Sequence, residues 1–511
     1  MHHPTVESLR ETIEESPYKY NHIYHVIDAA DFPMSLIPRL HVLLGDIPLR
    51  TRNRRSRSGK YMHDRQIEMS FIITRGDLLG PTKEKVDALM PYLREVLREA
   101  LGRVGGRIRL GNLRCVSAKR GWWTKPVKED IWRRGGAGWM IGKVNVGKSQ
   151  LFEAVYPKGR MIDMEKTREV QMSMYPRDLA TEEAEGKDEE WEDLDEGGLL
   201  PPAQPLRQYP PMPMVSALPG TTASPIRIPF GNGKGELIDL PGLARSDLEL
   251  FVKPEHRQSL VMKSRIVPEQ ISVQPSKSLI LGGGLIRITP RDSRVNFLMY
   301  NFTPLEEHLT SAVKAEEFQL QNRESSGVES IVLEGTGEKM KHAGTFQLRH
   351  DVTKSRAGPL TRKNAVGMKV DNLPFRVLSV DILIEGVGYV EIVAQVRAKS
   401  LKLSERPVPR KPVAAREKSS DPFADMIHQR RDANSRPAPE QETVLEPVWP
   451  EVDVYSPEGR FVASRRPLQG WLNNKPLVKP EHLRSRPRKS MKGQKKNAKM
   501  EKRAAMAGDG A

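Results

Sequence analysis

The sequence has few of the residues that could stabilise a fold through disulfides or cysteine-bound metal ions. Its 511 residues include one cysteine, Cys115, which excludes an internal disulfide and a cysteine-based zinc site. No apolar run approaches the roughly 20 residues that a helix needs to cross a membrane. Hydrophobic residues make up only 38% of the chain, which predicts folded domains interrupted by substantial disordered segments.

Positive charge is what the sequence has in excess. Lysine and arginine number 82 against 65 acidic residues, giving a formal charge of +17 and a pI near 9.7. Such a balance favours a polyanionic partner, RNA before a membrane surface. The densest stretch, Arg484–Arg503, has no apolar periodicity, and we expect it to contact RNA phosphates; a generic solvating tail is the alternative.

The most specific motif is G-K-V-N-V-G-K-S, which begins at Gly142. An apolar run, Gly138–Ile141, predicts a buried strand before it, and Gln150–Tyr156 predicts a helix after it. This is the phosphate-loop pattern: backbone N–H groups point at an anion, and the helix N-terminus adds partial positive charge. The lysine would reach the β- and γ-phosphates, and the serine would bind Mg²⁺. The predicted phosphate-binding residues are Gly142, Asn145, Val146, Gly147, Lys148 and Ser149.

Two short motifs earlier in the chain have the form of guanine recognition. A predicted strand, Met69–Ile73, leads into T-R-G-D, and another, Asn112–Val116, leads into S-A-K. The carboxylate of Asp77 can accept hydrogen bonds from guanine N1–H and the exocyclic amine, an arrangement that adenine does not offer. The commonest form of the first motif is N-K-x-D, so threonine and arginine here predict retained guanine preference with weaker affinity. The predicted guanine-binding residues are Thr74, Arg75, Asp77, Ser117, Ala118 and Lys119.

Two later motifs have the form of nucleotide-sensing switches. In P-G-T-T, Thr222 is the favoured residue to bind Mg²⁺ and sense the γ-phosphate, with Thr221 as the alternative. In D-L-P-G, Asp239 would hold a water on Mg²⁺, and the N–H of Gly242 would meet the γ-phosphate. The predicted Mg²⁺ ligands are Ser149, Thr222 and Asp239. The predicted catalytic residues are Lys148, Thr222, Asp239 and Gly242.

The order of these motifs carries a family resemblance. In ordinary GTPases the phosphate loop comes first and base recognition last, whereas here T-R-G-D and S-A-K precede the phosphate loop. The sequence resembles the circularly permuted GTPases, most closely the YqeH type with its mitochondrial "genetic interactor of prohibitins" relatives. The resemblance spans Tyr18–Thr310 and returns more weakly near Pro374–Gln395. It implies GTP binding and hydrolysis to GDP, and a role in assembly of the small ribosomal subunit, with rRNA as partner.

The resemblance also implies a mitochondrial location and raises the question of zinc. Family members carry an N-terminal four-cysteine zinc module that this sequence lacks, so we expect no zinc site in this chain. The glutamate-rich first 20 residues do not resemble a presequence; either targeting is absent or the true N-terminus lies outside this sequence. The alternative function is a nucleotide-gated mitochondrial scaffold for membrane or lipid maintenance, with no ribosomal target.

Two residues bear on the rate of hydrolysis. Leu243 follows D-L-P-G where Ras-like enzymes have a water-orienting glutamine, so we expect slow intrinsic turnover. Asn145 stands where K⁺-dependent relatives use an asparagine to bind the cation, which predicts K⁺ stimulation; a loop residue that stabilises its own turn is the alternative.

The predicted fold class is α/β: a circularly permuted P-loop GTPase domain, with a mostly parallel sheet and helices on both faces, joined to a β-rich carboxyl-terminal domain and a disordered basic tail. Helices are predicted at Lys83–Leu101 and Ser246–Ser264, two strands around a glycine turn in Ser278–Thr289, and a hairpin in Arg376–Arg397. The predicted divisions are an N-terminal segment (1–16), the GTPase domain (17–265) with a disordered acidic and proline-rich insertion (161–213), a β-rich domain (266–400), a linker (401–441), a strand-containing segment (442–480) and the basic tail (481–511).

Overall fold

A computed structural model describes most of the chain. The described residues are 5–44, 66–102, 110–157, 210, 212–213, 224–245, 247–322, 329–361, 366–403, 406–408, 444–446, 448–474 and 499–501. The predicted acidic insertion, the P-G-T-T motif, most of the linker and most of the basic tail lie outside these ranges.

A six-stranded sheet forms the amino-terminal half of the molecule. Its strand order is β3-β2-β1-β4-β6-β5, parallel throughout except for the antiparallel edge strand β5. Strands β1 and β4 are almost wholly buried, as expected for parallel strands that are covered on both faces. The strands are β1 (Tyr20–Asp28), β2 (Gln66–Thr74), β3 (Leu113–Cys115), β4 (Gly136–Ile141), β5 (Ile226–Phe230) and β6 (Gly235–Asp239).

Helices cover both faces of this sheet. One core cluster joins the sheet to α5 and α6, and another joins it to α1, α4 and the carboxyl-terminal strands. The helix predicted at Lys83–Leu101 divides in two at Leu89, since Pro91 suits the first turn of a new helix. The helices are α1 (Val6–Glu14), α2 (Leu40–Leu43), α3 (Lys83–Ala88), α4 (Met90–Ala100), α5 (Thr124–Arg134) and α6 (Lys148–Val155).

Two antiparallel sheets follow the parallel one. The second sheet has the order β13-β14-β15-β10-β7, with β19 paired to β14, and the third has the order β11-β8-β9-β18-β12. Their facing sides share a core cluster of their own. The strands are β7 (Ile271–Val273), β8 (Lys277–Leu281), β9 (Ile286–Pro290), β10 (Phe297–Phe302), β11 (Glu307–Ser311), β12 (Met340–Gln347), β13 (His350–Asp351), β14 (Phe375–Ile384), β15 (Gly388–Arg397), β18 (Glu451–Pro457) and β19 (Val462–Arg465), with β16 (Arg406–Val408) and β17 (Val444–Glu446) as a separate pair.

The remaining helices are short. They are α7 (Ala312–Gln319), α8 (Thr353–Arg356), α9 (Ala398–Leu403) and α10 (Gly470–Asn474). Of the helices within the described ranges, none has the length and apolar character needed to span a membrane.

Several secondary-structure predictions are confirmed. The strand–loop–helix around the phosphate loop is present, the glycine turn joins β8 to β9, and the predicted hairpin is the antiparallel pair β14–β15. The α-helix predicted at Ser246–Ser264 is wrong: the chain forms 3₁₀ turns at Leu248–Phe251 and Pro254–Leu260 instead. Pro254 has no N–H to continue an α-helix from the preceding turn. By contact, the chain divides into one compact unit, Met1–Trp471, and a second, Leu472–Ala511.

Candidate nucleotide site

The phosphate loop lies at the carboxyl end of the central strand β4 and leads directly into α6. Gly147 has φ of 82°, a left-handed conformation that glycine adopts without steric cost, and α6 begins at the next residue, Lys148. The Lys148 ammonium donates to the carbonyl oxygens of Lys143 (3.0 Å) and Gly142 (3.3 Å), so the side chain folds back over its own loop. Burial lowers the pKa of Lys148 to about 8, against the opposing effect of nearby Asp239.

The two predicted Mg²⁺ ligands that lie in the described chain are in contact. The Ser149 hydroxyl donates to Asp239 Oδ2 at 2.9 Å. Ser149 opens α6 and Asp239 ends the neighbouring strand β6, so parallel pairing of β4 with β6 brings the two oxygens together. Hydroxyl and carboxylate oxygens suit Mg²⁺, and the residues present therefore fit a magnesium ion there. The third predicted ligand, Thr222, and its alternative Thr221 lie outside the described residues.

The D-L-P-G segment packs directly on the phosphate loop. Leu243 N–H donates to Gly142 O at 3.1 Å, and Val144 N–H donates to Leu243 O at 2.9 Å. A Cβ placed on Gly242 would stand 2.9 Å from the Val144 Cα and 3.0 Å from the Lys148 Nζ, so only glycine fits without displacing the loop. The side chain of Leu243 is buried in the core. Two motifs almost 100 residues apart thus form one surface around Lys148.

The T-R-G-D motif lies against the other side of the same loop. Thr74 ends β2, and its hydroxyl stands 2.5 Å from Val146 O and 3.1 Å from Ile27 O. Arg75 adopts a left-handed conformation with φ of 57°, which turns the chain sharply after the strand. The threonine that replaces the usual asparagine therefore does tie T-R-G-D to the phosphate loop.

The two predicted guanine-recognition motifs also meet each other. The Ser117 hydroxyl donates to Asp77 Oδ1 at 2.6 Å, and Ser117 also forms a backbone bridge with Trp122 that closes the S-A-K loop. Lys119 is exposed and its ammonium donates to Lys263 O at 3.3 Å. Parallel pairing of β2 with β3 is what places the ends of both strands side by side.

A buried ionic network that motif analysis did not find joins these loops. Arg75 Nη1 donates to Asp28 Oδ2 at 2.7 Å, and Arg245 Nη2 lies 3.3 Å from the same oxygen and 2.6 Å from Asp31 Oδ2. Both aspartates are fully buried. Arg245, three residues beyond Gly242, holds the pKa of Asp31 below its ordinary value against the effect of burial. The sequence signal was a pair of acids at the carboxyl end of β1; nothing marked Arg245 as their partner.

The turn between β14 and β15 touches the nucleotide loops as well. Glu385 accepts a hydrogen bond from Lys143 Nζ at 2.8 Å, and the Gly386 N–H donates to Asp31 Oδ2 at 2.9 Å. The Arg75 guanidinium also donates to the carbonyl of Met262, whose side chain lies against Gly388. The β14–β15 hairpin thus lies against the predicted phosphate loop and, through Met262, against the predicted base-recognition motif.

Asn145 is the predicted K⁺ residue. It is half-buried in the phosphate loop with φ of 59°, a left-handed conformation that asparagine tolerates better than most residues. The conformation gives asparagine a structural reason to be there, and K⁺ binding stays a prediction. Within the described ranges, no group of three or more histidine, cysteine or acidic side chains is placed to hold a metal ion.

No protein-family model matches the chain, and a search of the curated proteins gave no match. The family therefore stays a proposal that rests on the motifs and their geometry.

Proposed function

We propose that this protein binds and hydrolyses GTP through a circularly permuted G domain. The observation that carries the proposal is that four separate motifs come together: D-L-P-G and T-R-G-D each contact the phosphate loop, and S-A-K contacts T-R-G-D. Ser149 meets Asp239, Leu243 pairs with the loop backbone, and Thr74 bonds Val146 while Asp77 bonds Ser117 close by. If these contacts served only to pack the loops together, they would not require these particular residue types in four different loops.

The strand order supports the permuted arrangement. If the strands are renumbered from β4, the one that enters the phosphate loop, their order across the sheet is 2-3-1-4-5-6, with the second strand antiparallel at the edge. This is the arrangement of GTPases whose phosphate loop comes first. Ligands of open α/β sheets bind at the carboxyl ends of the strands where the order reverses, here between β1 and β4.

The residues of the proposed site would have separate roles around the phosphates. Lys148 would bind the β- and γ-phosphate oxygens, and Ser149 with Asp239 would hold Mg²⁺, which neutralises charge on the same oxygens when bound. The N–H of Gly242 would meet the γ-phosphate. Because the Leu243 side chain is buried and apolar, it cannot orient the attacking water, which supports slow intrinsic turnover. A K⁺ ion at Asn145 could supply charge that an arginine finger provides elsewhere.

The base would be selected on the opposite side of the loop. The Asp77 carboxylate would accept hydrogen bonds from guanine N1–H and the exocyclic amine. Its Oδ1 also accepts a hydrogen bond from the Ser117 hydroxyl, which holds the carboxylate in place. A backbone N–H in the Ser117–Lys119 turn would donate to guanine O6. The guanidinium of Arg75 is anchored on Asp28, which leaves the aliphatic part of its side chain to cover the base.

We further propose that the protein acts in assembly of the mitochondrial small ribosomal subunit. The family resemblance and the excess of positive charge, which suits rRNA, support this role. The GTP-bound protein would associate with an assembling subunit and leave after hydrolysis.

Two measurements test these proposals separately. The full chain should bind a fluorescent GDP analogue and hydrolyse GTP but not ATP, and Lys148→Ala should abolish both; equal handling of ATP would contradict the GTPase assignment. In sedimentation from mitochondrial extracts, the protein should migrate with small subunits in the presence of a non-hydrolysable GTP analogue and not with GDP. Guanine-nucleotide binding without such association, and with association to membranes instead, would favour the scaffold function.

A further inference from the structure

A cavity of about 510 Å³ is lined by no residue of the four predicted nucleotide motifs that lie in the described chain. It opens at the corner where α4 of the parallel-sheet layer meets the third sheet at β12 and the second sheet at β13, β14 and β19. The volume falls in the range of small-ligand sites, roughly 300–1,000 Å³. The side chains that give it chemical character are Glu99, Phe346, Arg349, His350, Arg465 and Arg466.

Three arginines and one glutamate line the cavity, and Arg465 and Arg466 are each already paired with carboxylates. Arg349 is exposed and donates to Gln347 Oε1 at 2.8 Å, and within the described chain no carboxylate lies within 4 Å of its guanidinium. Arg466 is shared between Glu95 at 2.7 Å and Glu99 at 3.3 Å. An exposed guanidinium without an acidic partner is well suited to a phosphate.

The buried arginine adds a second observation. Arg465 is bonded to Asp381 through Nε and to Phe32 O through Nη1, and its guanidinium stacks on the Tyr389 ring at 4.3 Å. Its Nη2 is fully buried and has no hydrogen-bond partner among the described residues. The Arg465 guanidinium thus adds positive charge beside the cavity, offset in part by Asp381, while its buried Nη2 does not itself face a ligand.

Flat and polar surfaces complete the lining. Phe346 is half-buried and His350 lies nearby, and both rings can stack against a base. Burial, followed by the positive charge of Arg466, lowers the pKa of His350. Strand β12, which contributes to the lining, is the edge of the third sheet and pairs with β18.

We propose that this cavity binds one nucleotide unit of a single-stranded RNA, with the phosphate on Arg349 and Arg466 and the base against Phe346 and His350. The proposal rests on the proposed function only in taking RNA as the partner. A phosphate would take the place of Glu99 on Arg466, because the longer of the two ion pairs is the easier one to exchange. Removal of an arginine charge from the cavity should therefore weaken RNA binding, whereas removal of the glutamate charge should strengthen it.

The test uses the full chain, saturated with GDP, and a fluorescently labelled single-stranded RNA of about 12 nucleotides. Arg349→Ala should weaken RNA binding by roughly tenfold and lower the slope of log K against log salt by about 1. Glu99→Gln should tighten binding several-fold, since it removes a competitor for Arg466. Arg294→Ala is the matched control: Arg294 is exposed, pairs with Asp292 and lies outside the cavity, so affinity should change less than about twofold.

The outcomes separate the cavity from general charge effects. The basic tail is present in every variant, so its contribution cancels in the comparison. Equal losses for Arg349→Ala and Arg294→Ala, or weaker binding for Glu99→Gln, would overturn the proposal. Displacement of the RNA by inorganic phosphate or GMP as readily as by unlabelled RNA would assign the cavity to free phosphates and overturn it too.

GDP affinity is measured on the same samples to keep the two proposals apart. Normal GDP binding by all variants, with no effect of the cavity substitutions on RNA, would reject the cavity alone. Absence of GDP binding by the unaltered protein would reject the proposed GTPase, while the RNA measurements, repeated without nucleotide, would still decide the cavity.

Discussion

At the scale of single residues, the buried Lys148 links the proposed nucleotide binding to pH. Its ammonium is held by two carbonyl oxygens of its own loop, and burial lowers its pKa to about 8. A bound diphosphate would favour the charged form, so nucleotide binding near that pH must take up a proton.

We therefore expect GDP affinity to fall as the pH rises through about 8, by up to roughly tenfold per pH unit above it. Calorimetry in buffers of different ionisation enthalpy should show proton uptake near pH 8 and little in mildly acidic solution, where the free protein is already protonated. Binding heats that do not depend on the buffer near pH 8 would contradict this interpretation.

Thr74 offers a second prediction at this scale. Its one hydroxyl hydrogen faces two acceptors, Val146 O and Ile27 O, and can satisfy one at a time. The amide of Thr74→Asn, the commonest residue of this motif, has two N–H donors, so GDP should bind about three- to tenfold more tightly. Thr74→Val leaves both carbonyls without a donor and should weaken GDP binding by a similar factor. Two shifts of the same sign would show that this hydrogen bond does not support the nucleotide site.

At this scale, the motifs in the sequence predict individual residues of the candidate site. Ser117 and Asp77, and Ser149 and Asp239, were assigned from pattern, and the structure brings each pair within 3 Å. The partners of Asp28 and Asp31 could not be predicted, because Arg245 lies more than 200 residues further on in no recognisable pattern. Only the pairing of β1 with β4 and of β4 with β6 in the folded sheet brings them together.

At the scale of elements, the contact between D-L-P-G and the predicted phosphate loop leaves no room for a side chain at Gly242. Gly242→Ala would place a methyl group within 3 Å of the Val144 backbone and push the two segments apart. Because the Gly242 N–H is expected to meet only the γ-phosphate, GDP affinity should change by less than about threefold while GTP turnover falls by at least tenfold. Single-turnover hydrolysis and GDP titration on the same sample measure both, and equal losses in both would contradict the assigned role.

The β14–β15 turn is the second informative element. Lys143 and Glu385 form a pair that is about 17% and 15% exposed, so solvent screens it less than a surface pair. A double-mutant cycle with Lys143→Met and Glu385→Gln should give a coupling of about 1 kcal/mol in the free energy of unfolding.

The exposed pair Arg10–Glu14 in α1 is the matched control, for which at most about 0.5 kcal/mol is expected. Additive effects of the two substitutions at Lys143 and Glu385 would mean that the turn does not constrain the phosphate loop. Unfolding is followed by denaturant titration with fluorescence detection.

At the element scale, the sequence does not predict which sheet a strand joins. The stretch V-D-V-Y-S-P-E-G-R-F-V predicts a strand-like segment with a turn at Pro457–Gly459, and the structure has β18 before this turn and β19 beginning at the last residue of the stretch, Val462. The two strands nevertheless pair in different sheets, β18 with β12 and β9, and β19 with β14. Alternation of apolar residues shows that a segment is a strand but does not identify its neighbour.

At the scale of the whole molecule, the parallel sheet and the two antiparallel sheets belong to one compact unit. Arg465 of β19 bonds both Asp381 of β14 and the carbonyl of Phe32, in the loop that follows β1. Burial raises the pKa of Asp381, which shows the electrostatic cost of placing this pair inside the molecule. The predicted nucleotide-binding loops thus extend from the parallel sheet and are contacted by the second sheet.

The central claim is that loops in rotated chain order form one guanine-nucleotide site, and Asp77→Asn tests it most directly. Guanine presents two donors to this side chain, whereas xanthine presents one donor and one acceptor, which match the oxygen and the N–H of an amide. The unaltered protein should bind GDP far more tightly than XDP or ADP, and Asp77→Asn should prefer XDP over GDP by at least about tenfold. A protein that does not distinguish GDP from ADP, or a variant whose base preference is unchanged, would contradict the account.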